Sequence, residues 1–309
     1  MPQGGNRYVS KYLTNYSTKY TNNEYIADRF FNTDVPITQE TGKIPTYNYE
    51  RRIEATARAN GMPANMATWG MSYTSYAVEE HAIKDIVTDR DKKNSDPGIQ
   101  VELSTIDNLK DIILLRQEEQ AASLVFGNAW SNVTTNVSAT SWRSNTTTSL
   151  PISNVLSATG VILRWAGKQP NKMVMGWQAY EGTRENPQVY GRIQYSERAI
   201  VTADILAAMF DVDELLIGKS SYNSAAEGMT PTTTFFWGNK AWLGYMDPSP
   251  GFRKVSAAVR LRMNGTSNPY VAKKWRSDER AGDYIELSSM SKPIAVATLA
   301  AYIWSNCAV

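Results

Sequence analysis

Residues 105–126 read TIDNLKDIILLRQEEQAASLVF, and the architecture turns on this stretch. Ile106, Leu109, Ile113, Gln117, Gln120 and Leu124 follow steps of three and four, the spacing of one face of an α-helix. Ile112, Leu115 and Val125 widen the stripe. Ser104 and Asp107 have the spacing of an N-terminal capping box in its Asp form, and Gly127-Asn128 is a stop signal. A helix of this length spans about 33 Å, which makes it a spine rather than a connector. Ile106, Leu109, Ile113 and Leu124 are its expected core contacts. Lys110, Asp111, Arg116, Glu118 and Glu119 read as a charged face, solvated or at a subunit edge.

Upstream of the spine the chain has little periodicity. Residues 3–25 are rich in Tyr, Asn, Thr and Ser, too polar to order alone. Yet Tyr8, Tyr12, Tyr16 and Tyr20 recur every four residues and would share one face of a helix. Two readings stand: a mobile tail, or an arm that orders only against a neighbouring subunit. Residues 35–63 read as short extended pieces broken by Pro and Gly, and 71–79 as a strand. Together 43–87 form a long hairpin-like excursion with little core of its own.

Downstream, Trp130 and Trp142 stand in a Ser/Thr/Asn-rich loop over 128–151. Helix and strand then alternate. Helices are expected over 153–166, 177–184 and from Thr202 to Met209, with strands at Met173–Met175 and Leu215–Ile217. Phe235-Phe236-Trp237 and Trp242–Tyr245 read as a hairpin about Gly238-Asn239. Strands are expected at 254–263, 270–276 and 283–289, then a short helix and a strand within 293–304.

Composition narrows the function. Of 309 residues, 42% are apolar and 20% charged, enough to build a sizeable core, and the net charge of +2 is too balanced for a chain devoted to gripping nucleic acid. Neither a signal peptide nor a membrane-length apolar run is expected, so the chain reads as soluble and intracellular when made. One cysteine, Cys307, and one histidine, His81, cannot build a zinc site, and no cofactor is called for. The sequence holds neither a Gly-rich phosphate loop nor a G-x-S-x-G elbow. Paired carboxylates at Glu79/Glu80, Glu118/Glu119 and Asp211/Asp213/Glu214 leave a carboxylate-based hydrolase as the enzyme alternative. Lys273-Lys274-Trp275-Arg276 is basic, but strand alternation splits it between two faces, so inter-subunit salt bridges are its expected use.

Five words in order complete the reading. They are Ile26-Ala27-Asp28-Arg29-Phe30-Phe31; Val35-Pro36-Ile37 with Thr41-Gly42-Lys43; Tyr73–Glu80; Arg198–Val212; and Asp213–Gly218 through Tyr222-Asn223. Over residues 26–304 the chain resembles the major capsid proteins of tailed bacteriophages, with their Hong Kong 97 type fold. The resemblance implies an α+β protein with an N-terminal arm (1–34), an extended β loop (43–87), a peripheral domain (88–149 and 261–309) and a compact α/β axial domain (150–260). It implies a non-enzymatic protein that forms hexamers and pentamers around double-stranded DNA without reading its sequence. Such a shell would be built in the host bacterial cytoplasm as the virion capsid. Scaffolding and portal proteins are implied partners, decoration proteins are possible ones, and no membrane is involved. The expected inter-subunit residues are Tyr8, Tyr12, Tyr16, Tyr20, Lys43, Arg51, Arg52, Tyr73, Tyr76, Glu79 and Glu80. Met1 leads directly into the arm, so a separate scaffolding protein is expected. An encapsulin-like shell around protein cargo is the alternative within the same fold, and a receptor-binding module a third reading.

Overall fold

A 25-residue helix, Val101–Val125, is the spine of the computed structural model, about 37 Å from end to end. The structure describes residues 8–19, 24–31, 33–46, 56–58, 60–64, 66, 72–94, 100–127, 129–136, 140–144, 146–193, 201–251, 254–263 and 269–308. The helix begins a turn before the expected box, so Ser104 is an exposed interior position rather than a cap. Glu102 in its first turn meets Lys92 at 2.7 Å and Lys274 at 2.6 Å. An acid there suits the positive end of the helix dipole.

Buried positions on the spine come in neighbouring pairs: Thr105/Ile106, Leu109/Lys110, Ile113/Leu114, Gln117/Glu118 and Ala121/Ala122. Gln117 reaches Ser289 on the sheet, whereas Lys110 and Glu118 bond Ser17 and Ile26 of the N-terminal segments. A helix covered on two sides buries a stripe wider than one hydrophobic face. This corrects the charged-face reading. Lys110 and Glu118 are interior, while Asp111, Arg116 and Glu119 keep access to solvent.

The sheet behind the spine is organised by one long strand, Gly282–Ala295. Its first part runs antiparallel to Val271–Ser277 on one side and to Glu80–Thr88 on the other. Its last part pairs with Ala258–Met263, which in turn pairs in parallel with Asp34–Ile37. Alternation sends Ile285 and Leu287 toward the spine, where they pack with Ile106, Leu109, Ile113, Leu114, Val87 and Ala272.

A second, five-stranded sheet runs in the order Asn132–Thr135, Ala301–Ser305, Ala241–Gly244, Lys172–Gly176, Glu214–Gly218. Every residue of Lys172–Gly176 and Ala241–Gly244 is buried. Helices Pro151–Ala166 and Trp177–Glu185 cover this sheet, which is why its strands read as unbroken apolar runs. Left-handed Gly167 closes the first of these helices. Pro187 starts a further helix, Pro187–Ile193, where its missing N–H costs nothing.

Three expectations change. Thr233–Phe235 pairs with Ser221–Asn223, and Ala241–Gly244 pairs with Lys172–Gly176 and Ala301–Ser305, so the two do not form a hairpin with each other. Trp237 turns inward between them onto Gly218, where an added Cβ would stand 2.1 Å from the indole Cγ. The loop expected over 128–151 contributes a strand, Asn132–Thr135. Ala301–Ser305, expected with the peripheral part, lies inside the five-stranded sheet, because its partners sit more than fifty residues away in sequence.

Ile113 is 3% exposed in the spine's core. Ile113→Ala is expected to cost about 2–5 kcal/mol in denaturant unfolding. Ile113→Asp is expected to abolish cooperative folding by burying an unpaired charge; a soluble, cooperatively melting I113D protein would overturn the packing described.

Candidate functional site

Two features stand out from the compact units: the N-terminal segment that ties them together, and a two-stranded hairpin anchored at its root. The N-terminal segment holds helix Lys11–Lys19 and a single helical turn, Ala27–Phe30. Leu13 is buried in the spine's core, Tyr16 Oη donates to Asp107 Oδ2 at 3.1 Å, and Tyr25 Oη donates to Asp111 Oδ2 at 3.4 Å. Residues 8–19 thus pack on their own subunit. This corrects both the mobile-tail reading and the reading that they order only on a neighbour. The reason is the other face of the helix: Leu13 and Ser17, four residues apart, are buried, whereas Tyr12 points outward. The hydrogen bond to Asp107, helped by burial, raises the Tyr16 phenol above its ordinary pKa.

The turn Ala27–Phe30 is held at both ends. Glu118 of the spine accepts the N–H groups of Ile26 (3.1 Å) and Ala27 (2.8 Å), and also Trp237 Nε1 (2.7 Å) and Ser220 Oγ (3.1 Å). Lys172, from the second sheet, donates to the carbonyls of Arg29 and Phe30 and pairs with Glu214 at 3.1 Å. A carboxylate at the N-terminus and an ammonium at the C-terminus both match the turn's dipole. Phe30 is fully buried between Phe31 and Trp242, both edge-to-face at centroid distances of 4.8 and 5.0 Å. Asp28 and Asp34 reach Arg260, and Arg29 reaches Glu214. Burial works to raise the Asp28 pKa, but Arg260 beside it leaves the carboxyl below its ordinary value. Burial raises the Glu118 pKa, and its four donors offset this only in part.

The hairpin pairs Thr41–Thr46 with Ser72–Ala77, Lys43 opposite Ser75 and Pro45 opposite Tyr73. It is anchored at its root, where Ile44 and Tyr76 lean on a small cluster of Val78, Val259, Leu261 and Val296. Gly42 lies flat under the Tyr76 ring, where a Cβ would meet Tyr76 Oη at 2.8 Å. Among the described residues of the hairpin region, Lys43, Tyr73, Met62 and Met66 are exposed, and Met66 is 89% accessible. Glu79 and Glu80 are exposed at the point where the chain leaves the hairpin and joins the first sheet. Tyr20, Arg51, Arg52 and the Tyr8 side chain lie outside the described residues. On the spine, Ile106, Leu109 and Ile113 are buried, and Leu124 is half-buried against the core of the second sheet.

The basic run near residue 275 is spent within the subunit, which corrects its assignment to inter-subunit bridges. Lys273 pairs with Glu286, Lys274 with Glu102, and Arg276 with Asp89. Cross-strand pairing puts an acid opposite Lys273 (Glu286) and Arg276 (Asp283), while Lys274 reaches Glu102 on the spine helix. Cys307 is buried, and burial pushes its thiol pKa up. Among the described residues there is no cluster of metal-ligating side chains, and no helix is long and apolar enough to cross a membrane.

The comparisons with known proteins agree with this geometry. No protein-family model matches the chain. The major capsid protein of Burkholderia phage BcepMu is 25% identical over 308 residues, covering 97% of each chain. The crystal structure of a phage-related protein from Bordetella bronchiseptica RB50 superposes with a TM-score of 0.79 at 20% identity, over 98% of this chain and 99% of that one. The capsid protein of Cyanophage P-SCSP1u gives 0.54 at 12% identity, over 88% of this chain and 85% of that one. The fold is therefore the α+β Hong Kong 97 type, and the sequence kinship is to a phage major capsid protein. Two of the named relatives are capsid proteins, and nothing in them supports the hydrolase reading of the carboxylate pairs. Glu118 in particular is occupied with four donors.

Glu118→Ala leaves those donors without their acceptor and is expected to cost at least about 3 kcal/mol. The pH dependence has a definite sign. A carboxyl whose pKa is raised by folding binds its proton more tightly in the native state, so its contribution is largest below the ordinary Glu value. That contribution declines as pH rises toward the raised folded value. The unfolding free energy of wild type minus that of Glu118→Gln should fall with rising pH across this window. A flat difference would show that burial does not perturb Glu118.

Proposed function

We propose that, as a phage major capsid protein, this chain assembles into hexamers and pentamers that close an icosahedral shell around double-stranded DNA. The observation that carries the proposal is the hairpin Thr41–Ala77, whose outer described residues are exposed although Met62, Met66 and Tyr73 are apolar or aromatic. A two-stranded ribbon is marginal in water. A neighbouring copy can bury the surface that its own subunit does not. Tyr12, Tyr73, Tyr76, Lys43, Glu79 and Glu80 are assigned to such contacts, and Tyr8, Tyr20, Arg51 and Arg52 are proposed with them. Each contact can be weak, because a closed shell makes many at once.

The parts divide accordingly. The N-terminal segment 1–34 ties the subunit together and extends toward neighbours, and the hairpin region reaches across to one. The unit built on the spine lies at the periphery of a capsomer, and the five-stranded unit lies near its axis. Net charge near zero suits a container that encloses DNA without reading it. A separate scaffolding protein and a portal guide assembly in the host cytoplasm, with decoration proteins as optional later partners.

Electron microscopy of the purified chain, alone and with a candidate scaffolding protein, tests the reading. Closed shells or capsomer-sized rings are expected. Fixed small oligomers under both conditions would overturn it in favour of a receptor-binding module, and shells that enclose protein instead of DNA would favour the encapsulin-like alternative. A variant with residues 47–71 replaced by an Asn-Gly turn should melt within a few degrees of wild type yet form no shells. Normal shells from that variant would remove the hairpin from assembly.

A further inference from the structure

Asn60 and Gly61 form an exposed turn in the stretch between the two hairpin strands. Gly61 stands at φ +84°, and a Cβ built on it would meet no atom within 4 Å. Asn60 is exposed as well, and among the described residues neither of the two makes a hydrogen bond. Two other asparagines show the contrast. Asn223 is exposed, but its Oδ1 accepts the N–H groups of Ala225 at 3.1 Å and Thr232 at 2.9 Å. Asn186 is buried, its amide donates to the Trp142 carbonyl at 2.9 Å and to Ser149 Oγ at 2.7 Å, and the residue after it is Pro187, which has no N–H.

A side-chain carboxamide is open to attack by the backbone nitrogen of the next residue under three conditions. The amide N–H must be free to lose its proton to solvent. The next residue must put no side chain in the way, and the backbone must be free to bend until the nitrogen reaches Cγ. Exposure meets the first condition at Asn60, and glycine meets the other two. We propose that Asn60 is a self-modification site, which converts to aspartate and isoaspartate in the folded subunit. Gly61 N, its proton taken by solvent base, forms a bond to Asn60 Cγ. The bond from Cγ to the side-chain nitrogen breaks, and that nitrogen takes up a proton from water and leaves as ammonia. Water then opens the five-membered imide at either carbonyl, so one water is consumed for each ammonia released and nothing is oxidised or reduced. The product is a new carboxylate. Over residues 47–71, Arg51, Arg52 and Arg58 stand against Glu50 and Glu54, so one conversion takes this stretch from a net charge of +1 to neutral. The reaction belongs to the single subunit and does not depend on how subunits assemble.

The full chain, held unassembled at low concentration, is incubated in heavy-oxygen water at neutral to mildly alkaline pH. Peptide mapping by mass spectrometry then follows each asparagine, beside a synthetic peptide of residues 56–66. Heavy oxygen should enter a new carboxylate at residue 60, in both aspartate and isoaspartate forms. The rate should lie within about threefold of that in the free peptide, because no opening free energy has to be supplied before the turn reacts. Asn223 should keep its amide over the same time. Gly61→Ala, whose methyl finds open space in the fold but hinders the attack, should slow labelling at least about tenfold. Asn60→Gln, which would have to close a six-membered ring, should lose it. If Asn60 keeps its amide in the folded protein while the peptide loses it, the proposal fails. Equal labelling in wild type and Gly61→Ala would mean that the Gly61 nitrogen is not the attacking group, and would overturn it too.

Discussion

The carboxylate of Glu118 holds three parts of the chain at one point. It receives the first N–H groups of the turn Ala27–Phe30, the indole of Trp237 and the hydroxyl of Ser220, from the middle of the spine helix. The spine is continuous with the core of the first sheet through Ile106, Leu109 and Ile113, and with the core of the second through Ala121, Ala122 and Val125. The turn carries Phe30 into the second core and Asp28 onto the first sheet's Arg260. Burying this one acid in place of an apolar residue makes the joint directional, because only one arrangement satisfies all four donors. A half-satisfied version would be worse than none.

That joint also explains why the word Ile26-Ala27-Asp28-Arg29-Phe30-Phe31 was readable as a unit. Its residues are held by several partners: Glu118 for the first two backbone N–H groups, Arg260 for Asp28, Glu214 for Arg29, and the Trp242 ring for Phe30. The spine was readable for a simpler reason, an apolar period sustained over six turns. Glu118 and Lys110 were misread because a charge on a helix is normally solvated. The signal that could have found them was phase. Lys110, Leu114, Glu118 and Ala122 form a four-residue series that runs beside the apolar stripe. Such a series marks a second covered side when two of its members are small or apolar.

The second sheet was harder. Its five strands come from residues 132 to 305, and among the described residues only Lys172–Gly176 and Glu214–Gly218 are both successive in the chain and neighbours in the sheet. Local pattern identified Met173–Met175 and Leu215–Ile217 as strands but said nothing of their neighbours. It failed for Phe235–Tyr245, where two aromatic runs flanking a Gly-Asn turn imitate a hairpin. Trp237 decides the matter. Its indole needs an acceptor in the interior, finds Glu118, and fits only because Gly218 leaves room for the ring. That pull takes residue 237 out of any ladder with the strand at 241–244, so the chain pairs each run with a more distant strand.

Placement of charge separates the rigid parts of the subunit from the part that reaches outward. The first sheet matches its bases internally, with Lys273, Lys274 and Arg276 each facing an acid across or beside the strand. The joint does the same with Arg260 and Lys172. These groups are answered within the fold, so the subunit's shape does not depend on a neighbour to neutralise them. On the hairpin, Lys43 and Tyr73 meet solvent, and among its described residues Ile44 and Tyr76 make the core contacts. A body that is electrostatically complete, joined to a ribbon that is not, can keep its internal contacts while the ribbon changes partners. A subunit that occupies non-identical positions in a closed shell must satisfy that mechanical requirement.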